Sequence, residues 1–400
     1  MSSVPSTSLF LVAAGKAAWP MACAFAAARA RAAADGDTAV VRGVLSGPRG
    51  AGTLPPGFDL FDGAHPYPDA KSEAAGRRAL ELAAESRANG ALVVLLSGGA
   101  SAMLAAPADG LTLHDKVTTT RVLMNAGVPI AGLNCVRKHL SAIKGGRLAA
   151  AARRSVTLAI SDVHAPVADD PAVIGSGPTA GDPTTFEDAL AVIREAGVEP
   201  RIPAAVVRHL GEGMDDTPAP GDPRLAESFY YVIGTRHVAV EAAARAARGR
   251  GYAVAVLPDA TSGEARSAGA GFAAQALAEA GAHGRPVCVI ASGETTVHVT
   301  GTGRGGRNQE FALGAIPAVA QFPSPAVLAS AGTDGVDGPT DAAGAIVDTQ
   351  SAGRAAAAGV DPTLALANNA SYDFFRALGD LIVWGPTGTN VGDIHVMLIG

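Results

Sequence analysis

The chain has 400 residues, 48% of them apolar, with a formal net charge of -6 and a pI of about 5.8. The apolar content excludes a disordered chain, and an acidic balance without a basic stripe argues against a nucleic-acid partner. The three cysteines, Cys23, Cys135 and Cys288, are far apart and follow no metal-binding spacing, which favours a reducing, cytoplasmic compartment over a disulfide scaffold.

Short apolar runs that predict strands alternate with longer alanine-rich runs that predict helices. The predicted strands are 8–13, 91–96, 155–160, 229–234, 252–257, 286–291 and 326–330. The predicted helices are 16–34, 69–89, 113–126, 184–196, 236–249, 263–280 and 307–320. Continuously apolar strands are typical of sheets covered on both faces, so we expect an α/β protein with mostly parallel sheets flanked by helices. The alternation in 295–301 predicts a local antiparallel hairpin.

The segment 9–32 is apolar and ends in alanine-rich sequence, as an export signal does. Lys16 interrupts it, however, and its positive charges follow the apolar run instead of preceding it. We therefore predict a buried strand followed by a helix. No other stretch is apolar for long enough to span a bilayer, so no membrane partner is expected.

A polar segment with several prolines, 211–228, is the best candidate for a linker. It separates a predicted N-terminal Rossmann-like α/β domain, residues 1–215, from a C-terminal α/β domain, residues 225–400.

A small-residue turn follows the apolar strand 91–96 and contains Ser97, Gly98, Gly99 and Ser101. Such a turn exposes backbone N–H groups to an anion, although a tight strand-to-helix turn needs glycine for its dihedral angles alone. Lys16 lies at a helix start, where a cation opposes the helix dipole. That local conflict indicates function, against the ordinary alternative of a solvated lysine.

The segment 134–149 is dense in cations and amides. Asn134, Arg137 and Lys144 indicate a site for a carboxylate or a phosphate, whereas an exposed basic helix is the simpler interpretation. Asp162 follows strand 155–160, at the carboxyl end where catalytic groups collect. Further on, Thr184 with Glu187 fits a helix capping box.

The glycine-rich turn 301–306 precedes a predicted helix and carries cations. Arg304, Gly305, Arg307 and Asn308 are its candidate phosphate-binding residues. The turn formally matches GxGxxG, but the next strand does not end in the acidic residue that a dinucleotide site requires. Two arginines in or beside this turn suit a terminal phosphate better than they suit a buried pyrophosphate.

The loop 333–341 carries Asp334, Asp337 and Asp341, and it lacks the spacing of an EF-hand. Asp334 and Asp337 are candidate ligands of Mg²⁺, while aspartates in a surface turn are the structural alternative. The hydroxyl-rich loop 385–390 adds Thr389 and Asn390 as candidate binding residues, and Asp393 follows it.

Taken together, these motifs resemble one family over nearly the whole chain. The resemblance rests on GKA (15–17), HPYPD (65–69), SGGASA (97–102), NCVRKHLSAIKGG (134–146), SGPTAGDPTTF (176–186), GRGGRNQEFAL (303–313), AGTDGVDGPTDAAGA (331–345) and GPTGTNVGD (385–393). The chain is similar to the glycerate 2-kinase family with a C-terminal MOFRL domain. It departs from the commoner SGGGSA by placing a methyl group at Ala100.

The resemblance implies ATP- and Mg²⁺-dependent phosphorylation of D-glycerate at its 2-hydroxyl. It also implies two α/β domains with the active site in the cleft between them, a catalytic lysine at Lys16 and a catalytic arginine at Arg307. Asp162, Asp334 or Asp337 would accept the hydroxyl proton, and the residues alone do not rank them. A homo-oligomer is left open.

Two alternatives belong to other functional classes. The turn 301–306 and a three-carbon substrate would suit an NAD(P)-dependent hydroxypyruvate reductase. The same loops would also suit a non-catalytic protein that binds sugar acids or phosphate. NADH oxidation with hydroxypyruvate, or the absence of any product, would distinguish them from a kinase.

Overall fold

The computed structural model describes residues 8–34, 41–164, 167–213 and 215–400. Contacts divide the chain into two compact units. Unit 1 runs to Val163 and resumes from Val167 to Ile233, and unit 2 contains His164 and residues 234–400. The boundary expected from the sequence lies between 215 and 225 and would place the strand at 228–234 in the C-terminal domain. The contacts assign this strand to unit 1 instead.

Unit 1 is built on a six-stranded sheet. Its strands are β1 (Ser8–Ala14), β2 (Val41–Ser46), β3 (Phe58–Phe61), β4 (Gly90–Leu96), β5 (Ser155–Ile160) and β6 (Ser228–Gly234). They lie in the order β3-β2-β1-β4-β5-β6, and the pairs from β3 to β5 are parallel. This is the order of doubly wound dinucleotide-binding folds, in which ligands bind where the strand order reverses. Here that point lies between the carboxyl ends of β1 and β4.

Helices of unit 1 cover both faces of this sheet. They are α1 (Ala18–Ala34), α2 (Ala70–Asn89), α3 (Ala100–Met103), α4 (Leu113–Asn125), α5 (Ile130–His139), α6 (Arg147–Ala151), α7 (Phe186–Glu195) and α8 (Ala204–Glu212). Val12 of β1 packs with Leu82 of α2 on one face, while Leu11 packs with Trp19 of α1 on the other. The prediction that these strands are covered on both faces is confirmed.

Two local features of unit 1 were predicted from the sequence, one correctly and one with an offset of a single residue. The apolar segment near the start is strand β1 followed by helix α1, as predicted. The capping box of α7 is formed by Thr185 with Asp188, one residue beyond the predicted pair Thr184 and Glu187. Thr184 lies one residue before this N-cap, and its hydroxyl donates to Asp182 at 2.7 Å.

Unit 2 contains a mixed six-stranded sheet in the order β11-β10-β9-β12-β8-β7. Its strands are β7 (Ala253–Val256), β8 (Val287–Gly293), β9 (Ala326–Gly332), β10 (Gly344–Asp348), β11 (Leu381–Ile382) and β12 (Asp393–Ile399). Only the β7–β8 pair is parallel among these described strands, so a mostly parallel sheet was wrong for this unit. The reason is β12, which returns from the end of the chain and inserts antiparallel between β8 and β9. Residues 295–301 form no hairpin.

The helices of unit 2 are α9 (Arg236–Arg248), α10 (Ala265–Ala282), α11 (Arg307–Val319), α12 (Ser351–Ala358), α13 (Pro362–Ala367) and α14 (Ser371–Leu378). Helices α10 and α11 pack closely through glycines. A Cβ atom on Gly269 would lie 1.9 Å from the carbonyl oxygen of Phe311, and one on Gly314 would lie 2.2 Å from that of Arg266. This contact holds α11, which begins at Arg307, against the rest of the unit.

Replacing Gly269 by alanine is therefore expected to destabilise the protein by about 1–3 kcal/mol, the usual range for an overpacked core. Gly271→Ala is the matched control, because this glycine lies two residues further along α10 and a Cβ there meets nothing within 4 Å. It should be neutral or stabilising by up to about 1 kcal/mol, since alanine favours the helix. Urea unfolding of both variants checks the prediction, and equal stabilities would contradict it.

Candidate functional site

The turn after β1 carries Lys16 and is tied to the turn after β4. Gly15 has φ of +111°, and a Cβ atom there would lie 2.4 Å from the carbonyl oxygen of Ser97. The amide of Lys16 donates to the carbonyl of Gly98 at 2.8 Å, and the hydroxyl of Ser97 accepts from the amide of Ala17 at 2.9 Å. The fold thus fixes Lys16 at the point where the strand order reverses.

Ser97 itself needs a correction. It was a candidate for contacting ligand, but it is 0% exposed and its hydroxyl bonds the backbone of Ala14 and Ala17. Its place is structural, because it joins the two turns.

A cavity of about 300 Å³ opens in unit 1 beside these turns. It brings together many of the candidate residues: Gly98, Gly99, Ser101, Asn134, Arg137, Lys144 and Asp162 all line it. His65, Tyr67, Lys116 and Ser176 also line it and were not predicted. Residues separated by more than a hundred positions in sequence therefore share one site.

Three cations of the cavity have neutral hydrogen-bond partners. Lys144 Nζ donates to the carbonyls of Ser101 and Gly175 at 2.9 and 3.2 Å. Lys116 Nζ donates to the carbonyl of Leu140 at 2.8 Å. Burial lowers the pKa of Lys116 to about 7, with a further contribution from Arg137, and lowers that of Lys144 well below its usual value. Among the described residues, no carboxylate forms an ion pair with either lysine, so an anionic ligand would stabilise their charged forms.

Lys138, one residue after Arg137, has a different environment. Its Nζ donates to Asp182 at 2.9 Å in a buried ion pair. The basic segment 134–149 is therefore not an exposed helix face. Arg137 and Lys144 line the cavity, whereas Lys138 holds the loop after β5.

Asp162 lines the same cavity and closely approaches Gly98. A Cβ atom on Gly98 would lie 2.2 Å from Oδ2 of Asp162, so this position excludes any side chain. His65 completes this part of the wall. Its pKa is lowered by partial burial and then by the charge of Lys16, which favours the neutral imidazole.

If Asp162 and the 98–99 turn form one site, Gly98→Ala will move them apart. We expect kcat to fall on the order of 10²-fold, the effect of a misplacement of about 1 Å. Gly211→Ala on α8, where a Cβ meets nothing within 4 Å, is the control and should retain activity. Steady-state kinetics with circular dichroism of both variants checks this, and normal turnover of a folded Gly98→Ala protein would remove Asp162 from the site.

In unit 2 the glycine-rich turn leads directly into α11, and Asp337 caps that helix. Its carboxylate accepts hydrogen bonds from the amides of Asn308 and Gln309 at 3.0 and 2.9 Å. Burial raises the pKa of Asp337 to about 6, although these hydrogen bonds oppose the rise. Asp337 therefore caps α11, and its role as a ligand of Mg²⁺ stays a prediction.

Arg307 is the first residue of α11 and is held between two carboxylates. Its Nε and Nη2 atoms donate to Asp393 at 2.7 and 3.0 Å, and its Nη1 donates to Glu294. Burial alone would lower the pKa of Arg307, but the charges of Asp393 and Glu294 raise it above its ordinary value. The guanidinium is therefore permanently charged and rigidly oriented.

Asp393 and Glu294 were not predicted as site residues. Asp393 is the first residue of β12, and it pairs with Gly293 at the end of β8 and Gly332 at the end of β9. An antiparallel strand thus places its first residue at the edge where its neighbours end. The motif GPTGTN before Asp393 was the only signal in the sequence.

The other candidates of unit 2 are mostly tied to the protein itself. Arg304 stacks on the ring of Tyr372 at 4.1 Å, and a Cβ on the adjacent Gly305 would lie 2.1 Å from the hydroxyl of Ser371. Asn308 is 0% exposed and accepts from Ser330 at 2.7 Å, so its predicted contact with ligand is corrected to a structural role.

The loops 333–341 and 385–390 are joined by hydrogen bonds. The side chain of Asn390 accepts from the hydroxyl of Thr333 at 3.3 Å, and Asp334 accepts from the amide of Val336 at 3.1 Å. The amide of Thr389 donates to Thr387 at 3.4 Å. Asn390 therefore links the two loops.

No group of three or more metal-binding side chains converges among the described residues. Magnesium bound with a nucleotide keeps several waters and takes only one or two carboxylates. Asp334, which is half-buried, fits that requirement.

Comparisons with known proteins identify the family. The family model described as "Domain of unknown function (DUF4147)" matches residues 2–211, and that of the MOFRL family matches residues 287–393. The chain belongs to the DUF4147/MOFRL glycerate kinase family. The resemblance inferred from the motifs is therefore confirmed.

Individual relatives of this family cover most of the chain. It is 38% identical to a D-glycerate 2-kinase of Thermotoga maritima over 98% of this chain and 90% of that protein. It is 41% identical to an Agrobacterium vitis protein named "Putative hydroxypyruvate reductase", over 86% of this chain and 78% of that protein. The crystal structure of glycerate kinase from Thermotoga maritima superposes with a TM-score of 0.87 at 36% identity, covering 100% of this chain and 92% of that one.

A search of the described helices found none that combines the length and the apolarity needed to cross a membrane.

Proposed function

We propose that this protein is a glycerate 2-kinase that transfers the γ-phosphoryl group of ATP to the 2-hydroxyl of D-glycerate. The observation that carries the proposal is the cavity of unit 1, where three cations form no ion pair with a carboxylate of the described residues and a carboxylate, Asp162, lies in the same wall. This combination suits a small hydroxy acid: cations bind its carboxylate, and Asp162 reaches a hydroxyl. Relatives named as glycerate 2-kinases support glycerate as that acid.

Residues of unit 1 bind and activate the acceptor in this proposal. Arg137 forms a two-pronged contact with the glycerate carboxylate, which its planar guanidinium suits. Lys144 adds positive charge behind it. Asp162 orients the 2-hydroxyl and takes its proton as the oxygen bonds to phosphorus. The bond from the γ-phosphorus to its bridging oxygen breaks, and ADP leaves with that oxygen.

Lys16 and Arg307 would stabilise the charge that develops on the transferred group. Two of the five N–H groups of Arg307 are not engaged by Asp393 or Glu294, and these can donate to phosphate oxygens. Positioning and electrostatic stabilisation supply most of the catalysis of phosphoryl transfer. Asp334 would hold Mg²⁺, which neutralises phosphate charge when bound. Arg304 and the 385–390 loop would contact the nucleotide.

A phosphorus NMR spectrum of the product from D-glycerate, ATP and Mg²⁺ tests the proposal. A signal for 2-phosphoglycerate is expected, together with ADP in equal amount. Formation of 3-phosphoglycerate would overturn the regiochemistry. If neither phosphoglycerate forms and NADH is oxidised with hydroxypyruvate, the protein is a reductase and the proposal fails.

A further inference from the structure

The cavity of unit 1 has more cationic side chains than glycerate has carboxylates. Lys116, Arg137 and Lys144 line it, and Asp162 is the one carboxylate among its described lining residues. Lys116 and Lys144 are only 6% and 3% exposed, so burial disfavours their charged forms. A second anionic group beside Lys116 would stabilise its charged form, and the single carboxylate of glycerate, placed at Arg137 and Lys144, does not supply that group.

The hydrogen bonds of these cations leave donors for a ligand. Lys116 Nζ has three N–H groups and two acceptors, the carbonyls of Leu140 at 2.8 Å and Arg137 at 3.4 Å. Among the described residues, the guanidinium of Arg137 has a single weak hydrogen-bond contact, 3.9 Å to the sulfur of Met124. Asn134 is 8% exposed and lines the cavity as well. Donors on two helices, α4 and α5, therefore face one space.

The cavity also has room for more than one small charged group. Its volume is about 300 Å³ and it opens to solvent, whereas glycerate has seven non-hydrogen atoms. A second charged group can be accommodated without removing any side chain.

We propose that this cavity binds 2-hydroxy acids carrying a second anionic group more tightly than glycerate, and that Lys116 holds that second group. The inference rests on the proposed function, since it places glycerate at the same site. The second group would be another carboxylate, as in a 2-hydroxy dicarboxylate, or the phosphate of a phosphorylated hydroxy acid. Such compounds would act as competitive inhibitors or as alternative acceptors.

Proton uptake is expected to accompany binding. Burial, and then the charge of Arg137, lower the pKa of Lys116 to about 7, so at pH 8 much of this lysine is neutral in the free protein. An anion beside it raises its pKa again, so binding draws a proton from the solvent and the affinity falls as pH rises through 7. Lys144 lies in the field of Lys116 and Arg137 and changes in the same direction.

Other titratable groups on the elements packed around Lys116 have partners of their own. His114 contacts Thr118 and Asp115 bonds Thr112, both on α4. Lys138 pairs with Asp182, and His139 bonds the carbonyl of Cys135. His209 of α8 bonds the carbonyl of His139 at 3.0 Å. His65 also lines the cavity, and its lowered pKa keeps it neutral at pH 8.

Isothermal titration calorimetry of the full-length protein without nucleotide tests the inference directly. The probes are D-glycerate, tartronate and 3-phosphoglycerate at pH 8, each in two buffers of different ionisation enthalpy. We expect tartronate or 3-phosphoglycerate to bind at least about 10-fold more tightly than glycerate, the gain of one charge-assisted contact. Lys144 contributes proton uptake with all three ligands, so the tighter ligands should take up as much as one proton more than glycerate does. Tight binding of tartronate identifies a dicarboxylate site, and tight binding of 3-phosphoglycerate alone identifies a phosphate site.

Variants of Lys116 separate its role from general stability. Lys116→Met should remove most of the gain for the tighter ligand and abolish the additional proton uptake, with a smaller loss for glycerate. Lys116→Arg keeps a permanent charge, so tight binding should persist while the additional proton uptake disappears. Lys71→Met, at an exposed lysine of α2 outside the cavity, is the control.

Equal affinities of wild-type protein for all three ligands would overturn the inference, as would proton uptake unchanged in Lys116→Arg. The affinities of the wild-type protein for the three ligands can overturn the inference by themselves. The test therefore does not depend on the variants folding. Binding of the dianions without any phosphorylation of D-glycerate would reject the proposed function and leave the cavity's preference standing.

Discussion

Replacing Arg307 by methionine is expected to lower kcat on the order of 10³-fold, the least effect attributed to an arginine that stabilises a transferring phosphoryl group. The KM for D-glycerate should change little, because the proposed acceptor site is formed by residues of unit 1. Arg307→Lys keeps the charge but loses the two-pronged contact with Asp393, and we expect it to recover only a small part of the activity. Steady-state kinetics with saturating ATP measures both effects.

The same substitution has a stability effect that depends on pH. Burial already raises the pKa of Asp393, and Arg307 opposes that rise. Without the guanidinium the folded-state pKa rises further above the unfolded value, so ionised Asp393 destabilises the fold. The loss should be about 3 kcal/mol near neutral pH, at the low end for a broken buried pair because Arg307 is itself 31% exposed. It should shrink as pH falls below the folded-state pKa and Asp393 is protonated.

Urea unfolding at pH 4.5 and pH 7.5 measures this difference. Arg376→Met is the matched control, since this arginine of α14 is 63% exposed and, among the described residues, forms one ion pair, with Asp373, and one cation–π contact, 5.8 Å to the ring of Tyr372. Its effect should stay within about 1 kcal/mol at both pH values. An Arg307→Met protein that loses the same stability at both pH values would show that Asp393 stays ionised without its partner.

The positions of Lys16 and the 97–99 turn could be predicted because both follow apolar parallel strands. Ends of such strands can be read from the sequence, and the strand order of unit 1 then brings β1 and β4 together. Asp393 escaped the same rule because β12 runs antiparallel to β8 and β9. Asp393 is the first residue of β12, so a rule that looks for functional residues after the last residue of a strand does not find it.

Burial was the other property that the sequence concealed. Asn308 and Asp337 have the chemistry of ligand-binding residues, but the start of α11 uses both for its own hydrogen bonds. Lys116 shows the reverse error. It belongs to an ordinary helix, α4, with no motif around it, and only the packing of α4 against α5 places it in the cavity. At these positions the residue type indicates a chemistry, but the burial of the side chain depends on packing that the sequence does not display.

Arg137→Met is the second substitution with a large expected effect, and it acts on the acceptor. Loss of a two-pronged contact to a carboxylate in a partly desolvated site costs about 2–3 kcal/mol, which corresponds to an increase in KM for D-glycerate of about 30- to 150-fold. The KM for ATP should change by less than about 3-fold, because the nucleotide is assigned to other residues. Initial rates at varied glycerate and varied ATP separate the two constants.

Arg121→Met provides the comparison that a charge argument requires. This arginine of α4 is exposed and stacks on Tyr67 at 4.6 Å, and Tyr67 also lines the cavity. Its removal lowers the local positive potential without removing a donor from the site, and exposed charges are screened by salt. If Arg121→Met raises the KM for glycerate as much as Arg137→Met does, the cavity attracts its substrate by general potential and Arg137 makes no specific contact. If only Arg137→Met does so, and added salt leaves the difference intact, the guanidinium binds the carboxylate directly.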